Sequence, residues 1–309
     1  MITYAIGLKN KFRGITVREG MLFEGPAGWA EWSPFLDYDD ATCVAWLRAA
    51  YEAAYDGWPA AVRSEVPVNC TVPAIGPEKA AAIVRASGCS TAKVKVAEPG
   101  QTLQDDLERI EAVRDAIGDG QVRIDANGGW SVDEALRALK ELRRFDLEYV
   151  EQPCASVEDL AAVRRRTDVL VAADESIRRA EDPLLVKKLE AADIAVLKVQ
   201  PIGGVRACLD IAEQIGLPVV VSSALETSIG IAAGVALAAA LPELPYACGL
   251  ATVSMFTAEV VDEPLLPING FLPVKRLVPT TELPTADQAT TAKWEQRLAR
   301  VEALKGSVG

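Results

Sequence analysis

Residues 147–176, LEYVEQPCASVEDLAAVRRRTDVLVAADES, contain one full repeat of the pattern that organises this chain. An apolar run at Leu147–Glu151 reads as a strand, Val157–Arg165 as a helix, and Leu170–Ala173 as a second strand. Each strand ends in acid: YVEQP presents Glu151, and AADES presents Asp174 with Glu175 beside it. Similar runs lie on both sides, at Val66–Val72, Ala92–Val96 and Val122–Asp125 before it, and at Ile194–Val199, Pro218–Ser222 and Tyr246–Gly249 after it. Helical patterns at Thr102–Ile117, Val132–Leu142, Pro183–Leu189, Val205–Ile215 and Thr227–Leu241 alternate with them. Eight strands separated by helices, at intervals of ~25 residues, predict a TIM-type (β/α) barrel over residues 66–252. An open doubly wound sheet would want a glycine-rich phosphate turn after its first strand, and Val72 is followed by none.

The flanks read differently. Short strand-like runs at Ile2–Leu8, Met21–Glu24 and Gly28–Trp32, then a helix near Asp40–Tyr55, make residues 1–65 a small α+β capping domain. Between the first runs, KNKFRGITVREG reads as a mobile loop, in which Arg13 and Arg18 either meet a substrate carboxylate or simply solvate the loop. Solvation is the expected role. After Gly249 the alternation stops. A helix over about Ala286–Lys305 places Trp294, Leu298, Val301 and Leu304 on one face, so residues 253–309 are expected to fold back and complete the cap.

Composition removes several functions. Among 309 residues there is no histidine, so Ser-His-Asp hydrolysis, Cys-His proteolysis and imidazole-bound zinc are excluded. Acid–base chemistry must then fall to Lys, Asp, Glu, Tyr or Cys. A net charge of −12 argues against nucleic-acid and anionic-membrane partners. Residues 1–20 lack the apolar region of a signal peptide, and Ile229–Leu241 is too short and too broken by Gly234 for a membrane span; it reads as a buried helix. Six scattered cysteines without a CxxC pair fit small core residues in a reducing compartment, so the expected location is cytoplasmic.

Barrel enzymes carry their chemistry at the C-terminal ends of the strands. Read there, TAKVKV presents Lys93 and Lys95, RIDAN presents Asp125 and Asn127, and VLKVQ presents Lys198. VSSALE adds Ser222, Ser223 and Glu226. Asp125, Glu151 and Asp174 come from consecutive strands. Three carboxylates at one mouth repel unless a cation joins them, and all-oxygen ligation suits Mg²⁺, with Mn²⁺ as a substitute. The competing expectation is that each acid pairs with a basic residue or caps the following helix. Lys93 and Lys95, two apart on a strand, face the same way, so one of them is expected to titrate below the usual lysine value and act as a base. Such a set suits removal of a proton α to a carboxylate, which predicts a small anionic carboxylate substrate. PIGGV at 201–205 reads as a tight turn into a helix, with an anion-binding loop as its rival.

Taken together, KVK, DAN, EQP, DES, LKVQPIGG, SSALETSIG and the GWAEWSPF segment of the cap resemble the muconate-lactonizing branch of the enolase superfamily over nearly the whole chain. Within that branch they are most similar to the o-succinylbenzoate synthases. The resemblance implies a modified (β/α)7β barrel under an α+β cap, and Mg²⁺-dependent dehydration of 2-succinyl-6-hydroxy-2,4-cyclohexadiene-1-carboxylate on the way to menaquinone. It implies Asp125, Glu151 and Asp174 as metal ligands, Lys95 as base, Lys93 as its tuner and Lys198 as the stabiliser of the anionic intermediate. Backbone near Ser222, Ser223 and Gly249, with Asn127, would receive substrate, and the loop Phe12, Arg13, Gly14, Ile15, Thr16 would close over it. Because Lys95 and Lys198 could serve two faces, an N-succinylamino acid racemase stays open, as do a dipeptide epimerase and a muconate cycloisomerase. The last strand end, GLATVSMF, has no acid for the substrate ammonium of an epimerase. A catalytically dead scaffold barrel would be expected to have lost a ligand or a lysine, and all are present.

Overall fold

The computed structural model describes residues 1–179 and 182–306. Its N-terminal sheet is an antiparallel meander of β1 (Ile2–Phe12), β2 (Ile15–Gly25) and β3 (Gly28–Trp32). The segment expected as a mobile loop is the outer part of the β1–β2 hairpin. Only Arg13 and Gly14 stand outside the strands, with φ of 49° and 80°, and Phe12 pairs with Ile15 across them. Positive φ at both turn residues gives the backbone twist that a two-residue hairpin needs. The polar sequence hid these strands because Lys9, Asn10 and Lys11 project into solvent, with no buried face to impose alternation. Next, α1 (Asp40–Tyr51) starts at Asp39, whose carboxylate accepts the Thr42 amide. Its α-geometry ends sooner than expected, and one π-type turn over Glu52–Asp56 follows.

The expected first barrel strand is divided in two. β4 (Glu65–Pro67) pairs outside the barrel, and β5 (Cys70–Val72) begins the parallel sheet. Between them the Val68 amide bonds to Gly270 O and the Asn69 amide to Cys248 O, so the chain changes partners there. α2 (Pro77–Ser87) lies in a stretch where no helical pattern stood out. It has Pro77 in its first turn, where the missing N–H costs nothing, and ends at a left-handed Gly88. The alternation then runs through β6 (Thr91–Lys95), α3 (Leu103–Ile117), β7 (Gln121–Asp125), α4 (Val132–Leu142), β8 (Leu147–Glu151), α5 (Val157–Arg164) and β9 (Val171–Ala173). Thr102 with Asp105 and Ser131 with Glu134 form reciprocal capping boxes that start α3 and α4. A short helix α6 (Glu175–Arg178) follows β9, and α7 (Leu185–Lys188) stands where a helix over Pro183–Leu189 was expected. Then come β10 (Ile194–Leu197), α8 (Val199–Ile202), α9 (Val205–Ile215), β11 (Val219–Val221) and α10 (Ser228–Ala240).

The seven parallel strands are ordered β11-β10-β9-β8-β7-β6-β5. The eighth expected strand, Tyr246–Gly249, is reduced to two bridges, Cys248 to Val68 and Gly249 to Ser222. Those bridges join the two edges of the sheet. The fold is the modified (β/α)7β barrel with an α+β cap. β12 (Phe271–Pro273) pairs antiparallel with β4, and α11 (Gln288–Gly306) returns to the N-terminal sheet.

Burial falls into three groups. Outward strand residues such as Ala92, Val94, Ile124 and Val150 pack against the helices. Inward Tyr149, Ala172, Ile194, Val196 and Val220 fill the barrel. Tyr4, Trp32, Trp46 and Leu47 meet Trp294, Leu298 and Val301 of α11 in the cap. The rings of Trp32 and Trp294 meet edge to face at 5.4 Å. Leu304, expected on the same face, is exposed at the last turn. α10 is buried on all sides, as its apolar sequence predicts, and no helix among the described residues is long and apolar enough to cross a membrane. All six cysteines are buried and free.

Candidate active site at the barrel mouth

Parallel pairing puts Lys95 opposite Asp125, and Asp125 opposite Glu151, at the C-terminal ends of β6, β7 and β8. Alternation along a strand turns these residues inward, together with Lys93 one step below. Asp174 and Lys198 stand just past β9 and β10. The cluster is dry: Asp125 is 1% exposed, and Glu151 and Asp174 are fully buried.

Acids and bases interleave. Lys93 Nζ donates to both Glu151 oxygens at 2.9 and 3.0 Å and lies 3.4 Å from Asp125 Oδ2. Lys95 Nζ donates to Asp125 Oδ2 at 2.5 Å and to Asn127 Oδ1 at 2.6 Å. Lys198 Nζ donates to Asp174 Oδ2 at 2.6 Å, and Arg178 Nε to Asp174 Oδ1 at 2.8 Å. Burial opposes the charge on Asp125 and Asp174, but the lysines beside Asp125, and Arg178 with Lys198 beside Asp174, outweigh it and hold both carboxyls below the usual range. Glu151 goes the other way. Burial and then the negative charge of Asp125 push it up to about 7.

One sequence expectation is corrected here as far as Lys93 is concerned. A paired-lysine repulsion was expected to lower one ammonium. For Lys93, burial does lower the value, but the carboxylates of Glu151 and Asp125 overcome it and hold the group above the ordinary lysine range. Each of the two lysines faces a carboxylate.

The donor set fits a hard divalent ion, with three buried carboxylates from successive strands, one of which, Glu151, is held above its usual range by burial and by Asp125. The carboxylates do not form a ready cage. Among the described residues no three acidic groups are arranged to hold a metal, and Lys93, Lys95, Lys198 and Arg178 are bonded to the three carboxylates.

Above the cluster lies a cavity of about 640 Å³. Lys93, Lys95, Asp125, Asn127 and Lys198 form its floor, Ser222, Ser223, Gly249 and Thr252 one wall, and Phe12, Arg13 and Gly14 of the hairpin tip its roof. At the roof Arg13 pairs with Asp37 at 3.1 Å and stacks on Phe35 at 3.9 Å. Ile15 and Thr16, expected in the same closing loop, lie back along β2 away from that lining.

The wall differs from expectation. The amides of Ser222, Ser223 and Gly249 bond to Leu197 O, Gly249 O and Val221 O, so barrel closure consumes them. What they leave facing the cavity are hydroxyls, that of Ser223 sharing a hydrogen bond with Thr252 at 2.9 Å. A Cβ on Gly249 would come within 2.6 Å of Ser222 Oγ, which explains glycine there. Asn127, expected to touch substrate, spends its carbonyl on Lys95 and its amide on Glu175, and its left-handed backbone is pinned by its own N–H to Asp125 Oδ1.

Sequence reasoning passed over several residues. Arg178 sits one helical turn after Asp174, a spacing visible in DESIRR. Gln152 of EQP accepts from the amides of Asp174 and Ser176 and so fixes the end of the next strand. Arg18, expected in solvent, is 2% exposed and bonded to the loop after β11. The rival reading of PIGGV is answered as well. Glu52 of the cap accepts the amides of Val205 and Arg206, filling the helix N-terminus where an anion would sit.

Residues 77–279 match the enolase C-terminal domain-like family and residues 3–54 the enolase N-terminal domain-like family. The chain is 63% identical to an o-succinylbenzoate synthase of Thermobifida fusca, over 97% of this chain and 95% of that one. It is 56% identical to one from Mycolicibacterium smegmatis, over 89% and 85% of the two chains. A muconate lactonizing enzyme from Pseudomonas fluorescens, solved with muconolactone, superposes with a TM-score of 0.77 at 20% identity, over 95% of this chain and 97% of that one. That likeness speaks for the fold alone.

Proposed function

Because this chain belongs to the o-succinylbenzoate synthases, hydro-lyases of the enolase superfamily, we propose that it dehydrates 2-succinyl-6-hydroxy-2,4-cyclohexadiene-1-carboxylate to 2-succinylbenzoate, a step toward menaquinone. The observation that carries the reading is the interleaving of three lysines with three buried carboxylates under one cavity. Membership of this superfamily implies a divalent metal, typically Mg²⁺. Asp125, Glu151 and Asp174 would hold that ion, or Mn²⁺, and its charge would stabilise the enediolate formed from the substrate carboxylate.

Lys95, as the free amine, takes the proton α to that carboxylate. The resulting ammonium returns the proton to the departing hydroxyl on the same face, so the C–O bond breaks, water leaves and the ring becomes aromatic. Lys95 ends the cycle in the form in which it began. Asn127 holds the base in place through its carbonyl. Lys93 keeps a positive charge beneath Glu151 and Asp125, and Lys198 offers a second ammonium to the anionic intermediate. The hairpin tip would cover bound substrate from above.

The test incubates the protein with the cyclohexadiene substrate and Mg²⁺ and follows aromatisation by absorbance. Activity that survives chelation defeats the metal assignment. A second reading, N-succinylamino acid racemase, draws on Lys95 and Lys198 bonding to opposite ends of the carboxylate series. Exchange of the α-proton of N-succinyl amino acids in deuterated water, with no aromatisation, would select it.

A further inference from the structure

The loop between β11 and α10, Ser222–Thr227, builds one wall of the cavity yet carries none of the lysines or carboxylates of the cluster. Its shape is not one the chain adopts freely. Leu225 has φ of +63°, a left-handed conformation in which the side chain of an ordinary residue crowds its own carbonyl. Glu226 turns back to accept the Ala224 amide at 2.8 Å, which tightens the loop without explaining what holds Leu225.

That hold comes from the cap. Arg18 on β2 is 2% exposed and stands behind the wall. Its Nε donates to Leu225 O at 2.9 Å, and Nη2 reaches Ala224 O at 3.4 Å. The guanidinium is itself fixed by Ser33 O, Ser33 Oγ and Glu19 O, and its carbon lies 4.4 Å from the centre of the Phe35 ring. Phe35 also carries Arg13 of the roof, so one aromatic ring joins the roof and the wall clamp. Two residues beyond Leu225, Glu31 Oε2 accepts from the Thr227 amide at 3.0 Å and from its hydroxyl. Two cap residues thus pin a loop that belongs to the barrel.

We infer that Arg18 is a positioning residue for substrate selection: by bonding the Leu225 carbonyl it holds the Ser222–Glu226 wall in the strained form that fits the substrate. The inference rests on the dehydratase reading of this cavity. Lysine in place of Arg18 keeps the charge but loses the planar fork that spans Leu225, Ala224 and Ser33 together.

The experiment compares wild type, Arg18→Lys, Leu225→Gly and the double variant, measuring kcat, KM, 2-succinylbenzoate affinity by fluorescence quenching, and thermal midpoint. For Arg18→Lys, KM and the product Kd rise on the order of tenfold while kcat changes less, since the reacting groups stand on other strands. Glycine adopts the left-handed conformation without strain, so in the Leu225→Gly background the same Arg18→Lys change has a much smaller effect on both constants. Equal effects in the two backgrounds, or an unchanged KM and product Kd in Arg18→Lys, overturn the inference. An effect confined to the thermal midpoint also overturns it and leaves Arg18 a purely structural residue. If wild type does not aromatise the substrate, the functional reading fails and takes this inference with it. If it does, an indifferent Arg18→Lys overturns this inference alone.

Discussion

Lys93 and Arg123 are partners on adjacent strands, both buried and both facing the barrel axis, yet their surroundings differ in kind. Lys93 reaches up to Glu151 and Asp125, within a layer where every cation has a carboxylate and where Asp125 and Asp174 each have two cationic claimants. Arg123 stays below. Its guanidinium lies 4.7 Å from the Tyr149 ring and bonds to Glu148, Asn69 and the Ala247 carbonyl. None of these residues lines the cavity. Buried charge closed in by aromatic rings and carbonyls maintains the barrel, whereas buried charge shared among rival acids and bases at a cavity floor can be redistributed when substrate arrives.

The largest effect expected from this contrast is kinetic. Lys95→Ala should lower the aromatisation rate by about 10²–10⁴-fold, the usual range for losing a positioned base. The thermal midpoint should barely move, because Lys93 remains beside Asp125. A variant that keeps its rate breaks the distinction between the layers.

Below, the expectation inverts. Arg123→Met should cost about 3 kcal/mol of stability in urea titrations, through the stranded Glu148 carboxylate and the lost ring stacking, with KM and kcat per folded molecule unchanged. A lower kcat without loss of stability would place Arg123 with the upper layer.

The seam between cap and barrel supplies a pH test. Burial first, and then the charge of Glu31, push Glu226 up to about 7, above the ~4.3 of a free glutamate. Over that interval the folded chain keeps a proton that the unfolded chain has released. Stability from Glu226 is therefore complete below the unfolded value and is lost as pH rises through about 7. Glu226→Gln should shrink the stability difference between about pH 5 and pH 8 by on the order of 2–3 kcal/mol. Denaturant melts at the two pH values check it, and an unchanged difference would refute it.

The smallest effect belongs to the other seam contact. Glu52→Gln keeps one acceptor at the start of α9 but removes the charge that meets the Val205 and Arg206 amides and the Arg206 side chain. It should cost about 1 kcal/mol, with weaker dependence on salt than wild type.

What was legible beforehand depended on how local the cause was. The β8–α5–β9 repeat could be read because hydrophobic period and strand-end acids are properties of adjacent residues. The buried α10 was legible from its apolar run. The hairpin over Lys9–Gly20 was not, because its pairing is set by two turn dihedrals and its outer part, Lys9–Lys11 with Thr16 and Val17, is exposed. The final strand was overcalled because Tyr246–Gly249 has strand composition but only two ladder positions to occupy between the sheet edges. Arg18 was misplaced for a similar reason: an arginine amid polar residues looks solvated until a distant loop covers it.

By itself the sequence determined the barrel class, the three carboxylates and three lysines, and the absence of any imidazole chemistry, since strand-end position and residue type decide those. Only the tertiary structure decided which lysine faces which acid, that Lys93 stays charged, that the wall amides are already consumed, and that the cap holds the wall. Those outcomes turn on distances of a few ångströms between residues up to 207 positions apart. Burial and Coulomb interaction respond to that spacing, which no local pattern in the chain records.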